Sequence, residues 1–189
     1  MRAECVEPRA MPSCIRVDDD LMLEPLRADH ASALAALIAA NRAQLGRWFP
    51  WVATSRSAAD VAHFIAWASE QRVRGERDAY VIVVRGAIAG SIDLHDVERA
   101  RGFARIGYWL GAAYQGRGVM TQAVRALARH AFDGGITRLE IVAAAANAAS
   151  RAVAERAGFG FSEALPGGAP TGTGMEDGVV YALEPNVVP

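Results

Sequence analysis

The residues that point most directly to ligand chemistry form a glycine-rich turn at residues 115–118, with Gly116 and Gly118 in it. Before the turn, residues 106–110 alternate in a pattern that predicts a β-strand, and after it a helical repeat begins at Val119. A glycine turn that leads into a helix leaves backbone N–H groups without acceptors, and the helix dipole adds partial positive charge. The sequence therefore predicts a site for phosphate or pyrophosphate, with a plain strand-to-helix connection as the alternative.

The order of residues in this turn differs from two common phosphate-binding loops. A P-loop has a Lys-Ser or Lys-Thr pair after its glycines, and none follows Gly118. A dinucleotide-binding loop has a third glycine where this chain has Thr121. The turn is thus neither a P-loop nor a complete dinucleotide fingerprint.

Two polar pairs elsewhere carry side chains that can orient or transfer protons. Asn147 and Ser150 begin a short predicted helix, in which an N-cap with a polar neighbour is the simplest role for them. Asp93 and His95 lie two residues apart on a predicted strand, so both face the same side. A carboxylate at a strand end and a structural histidine are the simpler interpretations of the second pair.

Two acidic residues near the end of the chain, Glu176 and Asp177, are further candidates for proton transfer. They follow residues 166–174, whose glycines and prolines predict a flexible loop. A solvated carboxylate at Glu176 and a turn-capping one at Asp177 are the simple interpretations, and a general base is the functional one.

An aromatic stretch in the first half of the chain has two interpretations. Trp48 and Trp51 stand close to a proline, downstream of Asn41. Such aromatic side chains either fill the core between helices or form one wall of a substrate pocket.

The composition describes one globular domain. The chain has 189 residues, 52% of them hydrophobic, which is enough for one substantial core. We assign residues 14–185 to a single domain and residues 1–13 to an N-terminal extension. The net charge is −1, without the basic surplus of a nucleic-acid-binding domain, so no nucleic acid is expected as a partner.

The cysteines, histidines and hydropathy of the chain argue against a disulfide-linked, metal-binding or membrane-spanning protein. Cys5 and Cys14 lack metal-binding spacing and are predicted to be reduced thiols. The four histidines complete no metal motif, so no metal is expected. The sequence has neither a signal-peptide pattern nor a membrane span, which predicts a cytoplasmic protein with no membrane partner.

The predicted elements occur in an order that favours a mixed sheet. Two short strands come first, followed by helices with N-caps predicted at Asp29 and Ser57. An antiparallel three-stranded meander at residues 80–110 comes next, and then a strand–helix–strand crossover with parallel strands. A short helix and a final hairpin complete the chain. This order predicts an α/β (α+β) domain with helices on both faces of the sheet.

Four segments of the sequence together resemble the consecutive motifs of the GCN5-related N-acetyltransferase (GNAT) superfamily. They are residues 106–110, 115–121, 147–151 and 155–159, in the family's order and spacing. The chain is most similar to the RimJ/RimL-type branch, which acetylates ribosomal-protein N termini, at residues 48–51, residues 90–95, Asp177 and Tyr181. The resemblance covers residues 21–183. It implies a GNAT fold with a mixed, mostly antiparallel sheet of about six to seven strands and a central splay between strands.

The resemblance implies acetyl-CoA as the cosubstrate. Its pyrophosphate is expected on the backbone N–H groups of residues 116–121, and its pantetheine arm along Trp109 and Leu110, paired as an added strand would be. Asn147 is expected to hold the pantetheine amides, Ser150 to lie near the sulfur, and Arg151 to brace the site. The full set of expected acetyl-CoA residues is Trp109, Leu110, Gln115, Gly116, Arg117, Gly118, Val119, Met120, Thr121, Asn147, Ser150 and Arg151.

The chemistry of direct acetyl transfer places modest demands on the protein. The amine must be neutral to attack the thioester, and an α-amine with a pKa of about 8 needs only a weak base. A serine hydroxyl can assist the leaving thiol, and a backbone N–H near Leu110 can polarise the carbonyl. The expected catalytic residues are Ser150, Glu176, Asp177, His95 and Asp93, and the expected acceptor residues are Asn41, Trp48, Trp51 and His95.

The sequence departs from the RimJ/RimL-type pattern on the acceptor side. Relatives often carry a glutamate in the final loop, where residues 167–174 contain no carboxylate, and Asp93 occupies a position that is commonly glycine. We therefore predict an N-acetyltransferase that modifies a primary amine, either a protein N terminus or a small molecule. The alternatives are a non-catalytic acyl-CoA sensor and a self-protection enzyme acting on an aminoacyl-nucleotide antibiotic. A homodimer is compatible with the apolar final hairpin.

Overall fold

The computed structural model describes residues 14–185, so the extension predicted at residues 1–13 lies outside the described residues. Its strands are β1 Ile15–Arg16, β2 Leu21–Pro25, β3 Asp78–Val84, β4 Ala87–Glu98, β5 Phe103–Leu110, β6 Arg138–Ala144, β7 Gly160–Thr171 and β8 Gly174–Leu183. Its α-helices are α1 Ala31–Ala40, α2 Arg42–Trp48, α3 Ala58–Val73, α4 Val119–Asp133 and α5 Ala148–Ala157. No helix in this part of the chain is long and apolar enough to cross a membrane.

All the strands belong to one mixed sheet, in the order β1-β2-β3-β4-β5-β6-β8-β7. The predicted β3–β4–β5 meander is antiparallel, and β5 and β6 are parallel across the α4 crossover, so both predictions are confirmed. Within residues 14–185 the sheet has eight strands, more than the six to seven expected. The difference arises because the short N-terminal strands and both arms of the final hairpin all join the sheet.

Helices cover the sheet from both sides, as the element order predicted. On one side, α4 and α5 pack on the sheet through the predicted stripe of α4, in which Ala123, Val124 and Leu127 are fully buried. On the other side, α1, α2 and α3 enclose a second core that includes Leu34 and Ile65. Each sheet face is therefore buried over part of its width.

Two predictions about the N-terminal helices were wrong. Asp29 does not cap α1, because residues 28–30 form a 3-10 turn and the carboxylate of Asp29 lies 3.4 Å from Arg27 Nε. The sequence predicts a single helix between the caps at Asp29 and Ser57, but residues 31–48 form two helices, which meet at Asn41.

The glycine-rich stretch before Glu176 was predicted to be a loop, and most of it is strand. β7 extends to Thr171, with irregular pairing between Leu165 and Ala169, and turns directly into β8. Prolines at positions 166 and 170 are tolerated because β7 is the edge strand. At the hairpin tip, a Cβ on Gly172 would lie 1.6 Å from the carbonyl oxygen of Gly46, so backbone meets backbone there.

The expected splay lies between β5 and β6. Their parallel pairing covers Phe103–Arg138, Ala104–Leu139 and Arg105–Glu140 and then stops, although β5 continues to Leu110 and β6 to Ala144. The remaining halves of the two strands have no ladder between them. This gap is the feature around which the polar groups described below are arranged.

Ser57, predicted from the sequence to be the N-cap of α3, is its N-cap in the structure. Ser57 Oγ accepts a hydrogen bond from Asp60 N at 3.2 Å, and Asp60 Oδ2 accepts one from Ser57 N at 2.9 Å. We expect Ser57→Ala to lower the free energy of unfolding by about 1 kcal/mol in urea titration, because an N–H at the helix start loses its acceptor. Ser32→Ala, on the exposed face of α1, is the matched control and should leave stability nearly unchanged. Equal stability of the two variants would contradict the capping role.

Candidate active site

The start of α4 presents an array of unpaired backbone donors. The N–H groups of residues 116–121 have no hydrogen-bond acceptor among residues 14–185. Gly116 and Gly118 adopt φ values of 72° and 78°, which turn the chain into the helix. The side chain of Arg117 is exposed beside them. The arrangement can bind an anion with several oxygen atoms.

Three residues expected at this anion site have side chains that are buried or partly buried, which leaves their backbone N–H groups as the available donors. The side chains of Met120 and Thr121 are buried, and Val119 packs partly against the core beneath α4. Gln115 donates its amide N–H to the carbonyl oxygen of Leu110 at 3.0 Å. Gln115 therefore ties the glycine turn to the end of β5.

The edge of β5 that faces the gap carries free backbone groups. Gly111 N donates to Ala89 O at 2.8 Å, which places the alternate residues Trp109 and Gly107 in hydrogen-bonded pairs with β4. The N–H groups of Tyr108 and Leu110 then point the other way, into the gap. An extended ligand can pair with this edge as a strand would.

The opposite side of the gap is formed by the start of α5. Asn147 is its N-cap, with its side-chain oxygen accepting from Ser150 N at 3.1 Å. Tyr108 reaches across from β5, and its hydroxyl lies 3.0 Å from the Ser150 carbonyl oxygen and 3.1 Å from Ser150 Oγ. Burial raises the pKa of Tyr108 to about 12, so its hydroxyl stays protonated near neutral pH. Tyr108 thereby holds the Ser150 hydroxyl at the gap.

Arg151 braces α5 against the neighbouring strands. Its guanidinium donates to the Tyr181 hydroxyl at 3.1 Å and to the Ala145 carbonyl oxygen at 3.0 Å. The Tyr181 hydroxyl in turn donates to Glu155 at 2.8 Å. These contacts fix the start of α5 in position relative to β6 and β8.

An aromatic cluster lies on the other face of the sheet from α5. The ring of Trp51 lies 5.5 Å from that of Phe49 and 6.1 Å from that of Trp109. Trp48 is separate from this stack and lies under the guanidinium of Arg47, at 4.8 Å. The cluster brings Trp51, a predicted acceptor residue, next to Trp109, a predicted acetyl-CoA residue.

Asn41 has a structural position. Its amide donates to Leu37 O and accepts from Ala112 N, both at 2.8 Å. Both ends of the amide are thus used to join the end of α1 to the turn after β5. The expected contact of Asn41 with the acceptor stays a prediction.

Asp93 and His95 form a polar cluster on the same face as the aromatic residues. Asp93 Oδ1 lies 3.3 Å from His95 Nδ1, and Asp93 Oδ2 accepts from Arg77. Burial, followed by the nearby charge of Arg77, lowers the pKa of His95 to about 4. His95 is therefore a neutral imidazole at physiological pH.

The two acidic residues of the last strand have partners that occupy them. Glu176 accepts from Thr171, Thr173 and Arg47 at 3.0, 2.7 and 2.8 Å. These hydrogen bonds, that from Thr173 first, lower the pKa of Glu176. Asp177 accepts from Gly167 N at 2.8 Å and so stabilises the irregular part of β7.

Sequence reasoning missed two residues of this arrangement, Tyr108 and Arg77. Tyr108 was visible as part of the strand before the glycine turn, but its partner is 42 residues away in the chain. Arg77 lies in the connection between α3 and β3, where no local pattern distinguished it from other surface arginines.

Comparison with known proteins agrees with this geometry. Residues 20–160 match the acetyltransferase (GNAT) domain family. A putative ribosomal N-acetyltransferase, YdaF of Bacillus subtilis, is 32% identical over 147 residues, 76% of this chain and 80% of that protein. The RimL ribosomal L7/L12 alpha-N-protein acetyltransferase in complex with coenzyme A superposes with a TM-score of 0.87 at 28% identity, over 91% of this chain and 98% of that one.

A further solved structure is equally similar in fold. The microcin C7 self immunity acetyltransferase MccE, in complex with acetyl-CoA and AMP, has a TM-score of 0.87 at 28% identity, over 92% of this chain and 97% of that one. The match to the family extends from β2 through the start of β7 and includes both sides of the gap. The chain belongs to the GNAT acetyltransferase family.

Proposed function

We propose that this acetyltransferase moves the acetyl group of acetyl-CoA to the N-terminal α-amine of a ribosomal protein. The observation that carries the donor side is the unpaired N–H array of α4, which opens onto the free edge of β5. The acceptor class is supported by the similarity to YdaF and to RimL, whose names specify ribosomal substrates.

Acetyl-CoA binds along the gap in this proposal. The pyrophosphate accepts hydrogen bonds from the N–H groups of residues 116–121, with Arg117 as an additional cation. The pantetheine arm pairs with β5 at Tyr108 and Leu110 and completes the ladder that β6 leaves unmade. Asn147 uses its oxygen for capping, so its amide N–H₂ is left to donate to the pantetheine.

The transfer reaction needs a polarised carbonyl and an assisted leaving group. The free N–H of Leu110 or Tyr108 donates to the thioester oxygen as negative charge develops on it. Ser150, oriented by Tyr108, donates to the departing sulfur. Most of the acceleration comes from holding the two substrates together, since direct transfer requires no covalent enzyme intermediate.

The acceptor lies on the α1–α3 side, where the ring of Trp51 meets that of Trp109. An aminoacyl nucleotide is a second candidate acceptor for this side. The aromatic cluster of Phe49, Trp51 and Trp109 could stack on a base, and MccE was solved with both acetyl-CoA and AMP. We favour the protein N terminus because RimL is named an alpha-N-protein acetyltransferase and YdaF a putative ribosomal N-acetyltransferase.

A thiol-release assay distinguishes these acceptors. We expect the purified protein with acetyl-CoA to release coenzyme A thiol when given peptides with free N termini. Peptides of the same sequence with an N-acetyl cap are the matched control and should give no release. Faster release with aminoacyl adenosine phosphates than with any peptide would select the second candidate. Binding of acetyl-CoA without release for any amine would indicate a sensor.

The placement of the pyrophosphate predicts the effect of a charge at the start of α4. Gly118→Asp should weaken coenzyme A binding in isothermal titration by about tenfold or more, because like charges a few Å apart near a protein surface repel by ~1 kcal/mol or more. Gly135→Asp is the matched control, since Gly135 has a similar φ of 88° and open space at the other end of α4. Equal affinities for the two variants would refute the placement.

The role of Ser150 predicts a separation of turnover from binding. Ser150→Ala should lower kcat by about 100-fold while the Kd for coenzyme A changes little, because the hydroxyl acts on the leaving sulfur. Ser150→Thr keeps a hydroxyl at the same position and should retain more activity than the alanine variant. Wild-type turnover in Ser150→Ala would remove the residue from the mechanism.

A further inference from the structure

We propose that His95 is the group that accepts the proton of the attacking amine, and that Asp93 and Arg77 are positioning residues that hold it for this step. This inference rests on the proposed acetyl transfer and adds to it the base that the last strand does not provide. Three independent features of the structure lead to it: where the ring lies, how it is oriented, and which charges surround it.

The ring of His95 lies over the strand that borders the gap. Asp93 is paired with Gly107 across the β4–β5 ladder, and His95 with Arg105. A Cβ built on Gly107 would be 2.8 Å from Asp93 Oδ1 and 3.1 Å from His95 Cε1. The imidazole therefore leans along β5 over Gly107, the residue before Tyr108, whose N–H faces the gap. A side chain at position 107 would displace it.

The ring is also held in one orientation. Its Nδ1 lies 3.3 Å from Asp93 Oδ1, so the tautomer with the proton on Nδ1 donates to the carboxylate and leaves the Nε2 lone pair free. Arg77 pairs with the other carboxylate oxygen of Asp93. Arg77 is itself fixed, because its guanidinium lies 4.9 Å from the ring centre of Trp67 on α3. Trp67 thus contacts Arg77, Arg77 pairs with Asp93, and Asp93 contacts His95.

Four charged groups face the imidazole: two arginines, which favour its neutral form, and two aspartates, of which Asp96 favours the protonated form. Arg77 comes from the α3–β3 connection, Asp93 and Asp96 from β4, and Arg105 from β5. Burial and the two arginines disfavour a second proton on the ring, which lowers its pKa to about 4. A base must be unprotonated to work, and His95 is unprotonated throughout the range in which α-amines begin to lose their own proton.

The ring is reachable from solvent. About 26% of the His95 side chain is exposed. Its neighbours Arg77 and Arg105 form part of the wall of an open cleft of about 710 Å³. The two carboxylates of β8 are less suited to the task, because Glu176 is paired with Arg47 and Asp177 with the backbone of β7. A partly exposed histidine whose Nε2 has no protein partner among residues 14–185 is better suited than either of them.

The proton balance of the step is simple. The amine nitrogen forms a bond to the acetyl carbon with its electron pair, and one of its protons passes to His95 Nε2. The C–S bond breaks, and the sulfur leaves with the two electrons of that bond. The sulfur then takes up a proton by way of Ser150 and solvent. His95 later returns its proton to solvent, so the enzyme ends the cycle unchanged.

Substitution of His95 tests its role directly. We expect His95→Gln to lower kcat about 100-fold, with the Kd for acetyl-CoA unchanged, because glutamine keeps a polar side chain but cannot take the proton. The remaining activity should rise with pH up to the pKa of the acceptor amine, since the variant uses amine that is already neutral. Added imidazole should restore part of the activity of His95→Ala and have no effect on the wild type. Wild-type kcat in His95→Gln would overturn the assignment.

Substitution of Arg77 tests the positioning role. Removing its charge should raise the pKa of His95, so we expect the titration midpoint of His95 in Arg77→Met, followed by NMR and assigned with His95→Gln, to move to higher pH by about one unit. Arg77→Lys keeps the charge and should move it less. Arg101→Met is the matched control, because Arg101 borders the same cleft but pairs with Glu98. An identical His95 titration midpoint in Arg77→Met and Arg101→Met would overturn the role of Arg77. Failure of the wild type to transfer acetyl groups would instead contradict the proposed function itself.

Discussion

The pairing of β5 with β6 stops after Arg105 and Glu140, and the polar groups of the active site depend on that interruption. Backbone N–H and C=O groups inside a sheet normally satisfy one another, and leaving them unpaired in a protein interior is costly. Here the unpaired halves of the strands face a gap that water or an extended ligand can fill. A single break in the ladder therefore creates both the space for a substrate and the hydrogen-bonding edge that orients it.

A gap of this kind persists only if both of its sides are held apart, and α5 does this. Arg151 ties the start of α5 to Tyr181 and to the end of β6, while Tyr108 contacts Ser150 from the β5 side. The same helix start that carries the polar groups is thus fixed to both strands. A hydroxyl on a firmly held helix keeps its direction without substrate, which is what electrostatic preorganisation requires.

The parts of the fold that sequence predicts well are those encoded by neighbours in the chain. The α4 stripe, the meander and the Ser57 cap follow from local period and local capping chemistry, and the structure has all three. The α4 donor array could be predicted for the same reason. Asp29 failed as a cap because it lies within a 3-10 turn of residues 28–30, so that α1 begins after His30.

The acceptor side could not be predicted in the same way, because its contacts join distant segments. Arg77, just before β3, pairs with Asp93 on the neighbouring strand β4. Arg47 pairs with Glu176, which is 129 residues away in the sequence. The glycines and prolines of residues 166–174 indicated a loop, and pairing with β8 overrode that local preference. Such contacts follow from register and strand order, which single residues do not reveal.

The two outer edges of the sheet have a consequence for how other molecules approach it. One edge is β1, only two residues long, and the other is β7, whose proline nitrogens at positions 166 and 170 carry no hydrogen. Short strands and prolines at an edge both oppose the addition of a further strand, and so protect against aggregation. Within residues 14–185, the edge of β5 that is unpaired beyond Arg105 lies inside the sheet and has neither of these protections. An extended ligand therefore meets less opposition at this internal edge than at either outer edge of the sheet.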